Sequence, residues 1–398
     1  MKALKILAYT IFHRLFKHRK HEGEYTVVVF PGHLGDAILF CDLLNKIYQN
    51  NNKCICICGN VEELFKSVLV EAKIQYFSII EKGVDNKITY ESFRNIICTI
   101  DKFSIRDLII IDNGTNVIPL IGVAINHPSS YFTSIAFNKL VSREVVSFII
   151  DHSYTGIYNF DHDIFLPRGF EDFYNTLLGE KYKCKRVNIA TTGKKKENHY
   201  CVFSPLSAVN ARSLSYEQCL RIIEILLSEY EGDIYITGIC SHMELIEKVV
   251  ANFRNQNVIN FAGKTNLKQL FELIEEADFM IGIDSGHIHV ASSVNTPSIC
   301  ITGLWDYGQF LPYRYDNQSV FDPFVVLPQK QYPCQGCKIR NGNSNRNIDN
   351  EVCFNNTNQG GQFCCLESID YEMIRNGIAK VKRLMSDKCQ KGEKGNES

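Results

Sequence analysis

Short unbroken apolar runs alternate along this chain with longer stretches whose apolar positions recur at helical spacing. The runs at 25–30, 53–58, 74–79 and 107–111, with helical patterns such as 37–49 and 61–70 between them, predict a succession of βαβ units. An unbroken run is the pattern of a strand covered on both faces, so the sheet is expected to be parallel. From 119 to about 185 the periodicity is poor and aromatic residues are frequent, which reads as the end of a first domain with insertions. The alternation restarts at Tyr200, with strands at 200–203 and 233–237, a short one at Val258, and helices at 215–230, 241–252 and 267–277. The sharpest element follows. An apolar strand at 279–283 runs into the polar turn Asp284-Ser285-Gly286, then a helix over 287–294 that Thr296-Pro297 ends, then a second strand at 298–302. Ser285 is in position to cap that helix.

These patterns amount to two doubly wound α/β halves without a Gly-x-Gly-x-x-Gly fingerprint. With 398 residues, 45% apolar and 22% charged, the chain is long and apolar enough for two domains with real cores. A formal net charge of −1 offers no overall field for nucleic acid. Sixteen cysteines are many, yet Cys41, Cys54, Cys56, Cys58, Cys98, Cys201 and Cys300 stand singly in apolar runs, where a reduced thiol behaves as a small hydrophobe. Without a cleavable signal sequence, the expected compartment is a reducing cytoplasm.

Two turns carry candidate chemistry. The helix start after Asp284-Ser285-Gly286 leaves backbone N–H groups unpaired at the carboxyl end of a strand, which suits a phosphate group. His289, in the first turn, could add a ring donor or could be a core histidine; His287, about 200° away around the helix, is expected to face elsewhere. Near the N-terminus, Pro31-Gly32-His33-Leu34-Gly35-Asp36 joins the first strand to a helix and sets Asp36 at the mouth of the sheet, as a general base or as a helix cap. The segment 107–114 repeats the order of apolar strand, acid (Asp112) and glycine.

Asp284, Ser285, Gly286, His289, Ala291, Pro297 and Gly303, together with Gly32-His33-Leu34-Gly35-Asp36, resemble the two signature motifs of the family nine glycosyltransferases, the ADP-heptose heptosyltransferases. The resemblance implies a GT-B fold, two Rossmann-like domains facing across a cleft, and an inverting transfer of heptose or a similar sugar from an ADP-sugar donor to a hydroxyl of a lipopolysaccharide core or of a protein. It makes Asp36 the base that deprotonates the acceptor hydroxyl. Donor contacts would come from Gly35, Asp284, Ser285, Gly286 and His289. They would also come from Gly238 and Glu244, which resemble the family's Gly-x-x-x-Glu turn, and from Arg212 in the segment 204–214, where Leu206 replaces the family's glycine and a surface arginine is the other reading. No acidic pair with metal spacing lies near these loops, so transfer is expected to need no Mg²⁺. Substrate specificity should reside in loops within 113–180 and 304–330. The implied domains are 1–22, a basic amphipathic helix; 23–185, for the acceptor; 186–199, a linker; 200–330, for the nucleotide sugar; 331–368, a cysteine-rich segment; and 369–398, a C-terminal helix and tail that in the family crosses back onto the first domain.

Two further stretches stand outside those turns. Cys334-x2-Cys337, with Cys353 and either Cys364 or Cys365, has the spacing of a four-thiolate Zn²⁺ or Fe site, against unbound reduced thiols as the alternative. It is similar to the cysteine site of the autotransporter heptosyltransferases, which implies iron, a structural role and a homo-oligomer. In 1–20, Leu4, Ile6, Leu7, Ile11, Phe12, Leu15 and Phe16 recur at helical spacing among Lys2, Lys5, Arg14, Lys17, Arg19 and Lys20. That pattern predicts either a peripheral contact at the inner face of a bacterial membrane or a helix packed on its own domain or on another subunit. A GT-B-type nucleotide-sugar epimerase is the alternative activity. A zinc-ribbon interaction module on an inactive scaffold is the alternative class, disfavoured because Asn, Gln and Gly rather than basic and aromatic residues surround the cysteines.

Overall fold

The computed structural model describes residues 2–16, 23–81, 88–112, 118–127, 129–133, 153–160, 164–178, 181–189, 198–207, 210–254, 256–304, 307–316, 318–330, 362 and 364–394. The chain divides into two compact units, Met1–Val187 and Asn188–Ser398.

The first unit contains α1 (Lys2–Phe16), β1 (Tyr25–Phe30), α2 (Leu34–Asn50), β2 (Cys54–Cys58), α3 (Glu62–Val68), β3 (Gln75–Ser78), α4 (Tyr90–Ile100), β4 (Ile105–Asp112), α5 (Pro119–Ile125), β5 (Ser129–Thr133), β6 (Gly156–Asn159) and α6 (Leu166–Phe173). Its six strands are all parallel, in the order β3-β2-β1-β4-β5-β6. The central strands are sealed on both faces, with Val27, Val28, Val29, Ile55 and Ile57 fully buried, as their unbroken apolar runs require.

The second unit contains β7 (Tyr200–Ser204), α7 (Tyr216–Glu229), β8 (Asp233–Ile236), α8 (Met243–Val250), β9 (Val258–Asn260), α9 (Leu267–Glu276), β10 (Phe279–Ile283), α10 (Gly286–Ser293), β11 (Ser298–Ile301), β12 (Phe324–Val326), α11 (Cys364–Glu367) and α12 (Tyr371–Lys394). Its order is β12-β11-β10-β7-β8-β9, again wholly parallel. Counted from the start of each unit, both sheets run 3-2-1-4-5-6, the doubly wound order in which winding reverses between the first and fourth strands. The α/β class and the twofold repetition read from the pattern are thus present.

The structure corrects several expectations. Within 119–185 the described residues supply α5, α6, β5, β6 and a π-helical segment, Tyr174–Leu178, elements that the sequence pattern did not mark. The strands escaped notice because β5 opens on two serines and β6 has only four residues, none buried, at the sheet edge. The helix expected at 241–252 is α8 with a 3₁₀ turn on either side, Cys240–His242 and Ala251–Phe253. Cys98 is exposed, whereas Cys41, Cys54, Cys56, Cys58, Cys201 and Cys300 are buried as expected. Burial raises the Cys54 thiol to about 12, so it is a protonated filler of the core. Asp112 does not open onto a site; it is fully buried and accepts a hydrogen bond from the Tyr131 hydroxyl at 2.8 Å.

The first and the last described helices each pack on the core of their own unit. On α1, Ile6 enters the core of the first unit, and the Thr10 hydroxyl donates to the Ile6 carbonyl at 2.8 Å. His13 is buried between the Ala124 carbonyl and Asp101, 2.8 Å from each. On α12, Ile374, Ile378 and Val381 join the core of the second unit, beside α7, β11 and β12, so the helix is anchored there. Among the described residues no helix is long and apolar enough to cross a membrane.

Cys334, Cys337 and Cys353 lie outside the described residues. The ends of the excursion that carries them are pinned together: Gln329 N–H donates to Ser368 O at 2.7 Å, and Pro328 forms an antiparallel bridge with Ile369. Cys364 and Cys365 therefore stand at its base, on α11.

Candidate functional site

In a 3-2-1-4-5-6 sheet, ligands bind outside the carboxyl ends of the strands where the winding reverses. In the first unit that point lies between β1 and β4, and the turn Pro31-Gly32-His33 leads out of β1 into α2 there. Phe30 stacks on Phe40 with ring centroids 4.5 Å apart, and the turn folds down on that pair. A Cβ on Gly32 would stand 2.3 Å from the Phe30 ring and 2.9 Å from the Asp36 Cβ, so only glycine permits the closure. Gly35 sits in the first turn of α2. The cap of that helix is His33; Asp36 is its third residue and accepts the His33 backbone N–H through Oδ2 at 3.0 Å. Asp36 thus takes up half of a capping box, which occupies one of about four acceptor sites on a carboxylate and holds the side chain over the strand end.

In the second unit the equivalent point lies between β7 and β10. Ser204 ends β7, and β10 runs directly into Asp284-Ser285-Gly286 and α10. A Cβ at Gly282 would meet the Ser204 carbonyl oxygen at 2.7 Å and its Cβ at 3.1 Å, so this glycine makes room for Ser204. Ser204 Oγ shares a hydrogen bond with His287 Nδ1 at 2.7 Å. Ser285 occupies the cap position in extended backbone, but its hydroxyl makes no capping bond: the oxygen is buried and without a hydrogen-bond partner among the described residues. Unsatisfied buried hydroxyls are rare, and one at the open end of a strand beside unpaired helix N–H groups is suited to an incoming acceptor.

Of the two histidines, His289 lies where its reading as a core histidine puts it, and His287 does not face away. His289 is 3% exposed, with Nδ1 2.7 Å from the Tyr313 hydroxyl and its ring stacked on Tyr313. His287 instead turns to the strand end, on Ser204, where burial pushes its pKa down to about 4, with nearby His242 adding to the fall. His242, which follows β8, is also lowered by burial. His287 is therefore neutral at neutral pH, and it offers a hydrogen bond rather than a positive charge. Its role escaped the sequence reading.

Gly238 follows β8 and is packed against His242 and Ile246; its carbonyl accepts the Gly263 N–H at 2.8 Å. Glu244, in the first turn of α8, is exposed and pairs with Lys248 at 2.7 Å. Asp284 is half-buried, and its N–H bonds to the Ile301 carbonyl at 3.2 Å. Arg212, also half-buried, ends the 3₁₀ turn Asn210–Arg212, whose Ala211 packs with Leu304 and Cys365. The same loop is tied to the base of the cysteine excursion. Gln362 Nε2 donates to Ser213 O at 2.8 Å and to Gln218 Oε1 at 2.7 Å, and Gln218 Nε2 donates to Leu366 O at 2.6 Å. Cys365 is buried, its sulfur accepting the Leu304 N–H at 3.3 Å, whereas Cys364 is half-buried.

Residues 170–339 match the family model described as glycosyltransferase family 9 (heptosyltransferase). Lipopolysaccharide heptosyltransferase 3 of Escherichia coli (strain K12) is 22% identical over 210 residues, 48% of this chain, so the chain spans about three-fifths (61%) of that relative's length. A family 9 glycosyl transferase from Veillonella parvula superposes with a TM-score of 0.65 at 16% identity, covering 93% of this chain and 99% of that one. The iron-containing dodecameric glycosyltransferase TibC of enterotoxigenic E. coli superposes with a TM-score of 0.53 at 13% identity, covering 92% and 78%. At these identities the two solved structures establish the shared fold. Over residues 170–339 the chain is thus similar in sequence to the family 9 glycosyltransferases, the heptosyltransferases, and it shares the fold of their solved members.

Proposed function

We propose that the chain is an inverting glycosyltransferase that moves heptose, or a sugar like it, from an ADP-sugar to a hydroxyl of a glycan core or a protein. The observation that carries this reading is the repeated topology. Each motif turn leaves the first strand or the fourth strand of a 3-2-1-4-5-6 sheet, at the point where such sheets bind ligands. In this reading the first unit binds the acceptor and the second the donor.

Asp36, held by the His33 N–H, takes the proton of the acceptor hydroxyl as that oxygen attacks the anomeric carbon and the bond to the diphosphate breaks. The departing ADP is met by the N–H groups at the start of α10, the Ser285 hydroxyl and Arg212. Neutral His287 adds a hydrogen bond, and buried His289, tied to Tyr313, sets the shape of the turn. Gly35, Gly238, Glu244, Asp284 and Gly286 complete the proposed donor contacts. The family model is that of a transferase, and no observation favours the epimerase.

Cys334, Cys337, Cys353 and Cys364 are proposed to hold a structural Fe or Zn ion. Among the described residues no group of three ligands is assembled, because three of these four thiols lie outside them. Support comes from the donor chemistry, since thiolates suit both ions, and from the pinned ends of the excursion. Cys364 is preferred to Cys365 because the latter's sulfur is walled in by Gly303 and Leu304. The ion would brace the Arg212 loop through Gln362 and Gln218. Homo-oligomerisation is part of the same proposal, by analogy with the dodecameric TibC. Incubation with ADP-heptose and a panel of acceptors tests the activity: sugar transfer with release of ADP is expected, and interconversion of the nucleotide sugar without an acceptor would replace transfer with epimerisation.

A further inference from the structure

The helix α1 has two apolar sides, one packed on the first unit and one largely exposed. Ile6, Thr10 and His13 face inward, onto α4 and α5. At about 100° per residue, Ala8, Ile11, Phe12 and Leu15 fall on the opposite side. There Ile11 is 46% exposed, Phe12 60% and Leu15 63%, three of the most exposed large apolar side chains among the described residues. Lys5 is exposed along the same side. The sequence from 1 to 20 holds Lys2, Lys5, Arg14, Lys17, Arg19 and Lys20 and no acidic residue.

We propose that the outward face of α1, formed by Ile11, Phe12 and Leu15 within this basic segment, inserts into the surface of a bilayer rich in anionic lipid. Three observations select that occupant. The helix is fixed to its unit on the inner side by the His13 contacts with Asp101 and Ala124, so the outer side chains are presented as a rigid row rather than on a loose tail. The charge of the segment is of one sign, which complements anionic headgroups. Stable peripheral binding needs two signals together, an apolar insertion and basic charge; α1 supplies the first, and exposed Lys5 with the other lysines and arginines of the sequence 1–20 supplies the second, Arg14 being turned to the Val123 carbonyl and Ser153. The inference is independent of the sugar-transfer reading, because it concerns a face of the first unit and not the strand ends.

The test is co-sedimentation of the full chain with vesicles of phosphatidylcholine alone or enriched in phosphatidylglycerol, compared with a variant carrying Ile11→Ser, Phe12→Ser and Leu15→Ser. Binding to the phosphatidylglycerol vesicles is expected, weakened by added salt and reduced at least about tenfold in the variant, since each replaced side chain gives up apolar burial. The replaced residues are exposed, so the variant should keep the thermal unfolding of the parent; a second variant, Lys5→Glu, tests the charge without touching the apolar row. Failure of the parent chain to bind anionic vesicles would overturn the proposal, as would equal binding to pure phosphatidylcholine. Dissociation of a homo-oligomer by the serine variant, without an effect on vesicle binding, would assign the face to a second copy of the chain instead.

Discussion

A neutral histidine at the end of β7 has a measurable consequence. The His287 pKa falls from 6.5 to about 4 on folding, chiefly because the imidazolium loses its hydration, with His242 opposing a second charge. When a group's folded pKa is depressed, its contribution to stability is fully present above the unfolded pKa and is lost as pH falls towards the folded one. At about 1.36 kcal/mol per pKa unit, the drop of roughly 2.5 units corresponds to about 3 kcal/mol, of which about 2 kcal/mol is already lost at about pH 5. The perturbation is His287→Gln, which removes the titration and keeps a polar side chain beside Ser204. Urea unfolding should be followed through the single tryptophan, Trp305, which belongs to the second unit, at about pH 7.5 and about pH 5. At the higher pH the variant is expected to be less stable by about 1 kcal/mol, the worth of one hydrogen bond. Between the two pH values the parent should lose about 2 kcal/mol more than the variant. Equal losses would show that His287 does not titrate far below its ordinary range, and the account of an uncharged donor at this turn would fail.

Four other outcomes follow from the same geometry. Asp36→Asn should lower the transfer rate by about 10²–10⁴ while ADP-sugar affinity, read by calorimetry, stays within about twofold; equal loss of both would make the residue structural. Gly282→Ala should destabilise the chain by about 1–3 kcal/mol in thermal or urea unfolding, because the added methyl meets the Ser204 carbonyl oxygen at 2.7 Å. His13→Ala should cost about 1–3 kcal/mol, since it leaves both Asp101 and the Ala124 carbonyl without their bonds to the ring; a change below about 0.5 kcal/mol would mean that α1 is held by its apolar contacts and Arg14 without the ring. For the cysteine site, purified parent and Cys365→Ser protein should each carry about one equivalent of Fe or Zn by elemental analysis, and Cys364→Ser much less; the reverse order would exchange the two thiols.

Some parts of this chain are easier to read from sequence than others, and the reasons are physical. The strands of both sheet centres are visible because a strand covered on two faces must be apolar at every position, as at 279–283. The edge strand β6 carries no such obligation; Gly156–Asn159 has no buried residue, and its composition is that of a loop. The turn after β1 is legible for a different reason, because Gly32 is demanded by the packing of Phe30 and Asp36.

The placement of His287 marks where helical spacing stops being informative. Helical spacing states that residues two apart diverge by about 200°, but not which of them looks at the strand end. An amphipathic helix supplies the missing reference through its polar side. On α10 there is none: Ile288 to Ser293 are all buried, so the helix is covered on every side and its rotation is set by neighbours distant in sequence. Tyr313, 24 residues away, takes His289, and Ser204, 83 residues away, takes His287. Ser204 can do so only because position 282 on the adjacent strand is glycine, a residue that in the sequence alone looks like an interruption of an otherwise good strand. The orientation of the donor turn is therefore a tertiary property. Loss of the side-chain space at 282 should disturb His287 before it disturbs His289, an order that histidine ring resonances in the Gly282→Ala protein would reveal.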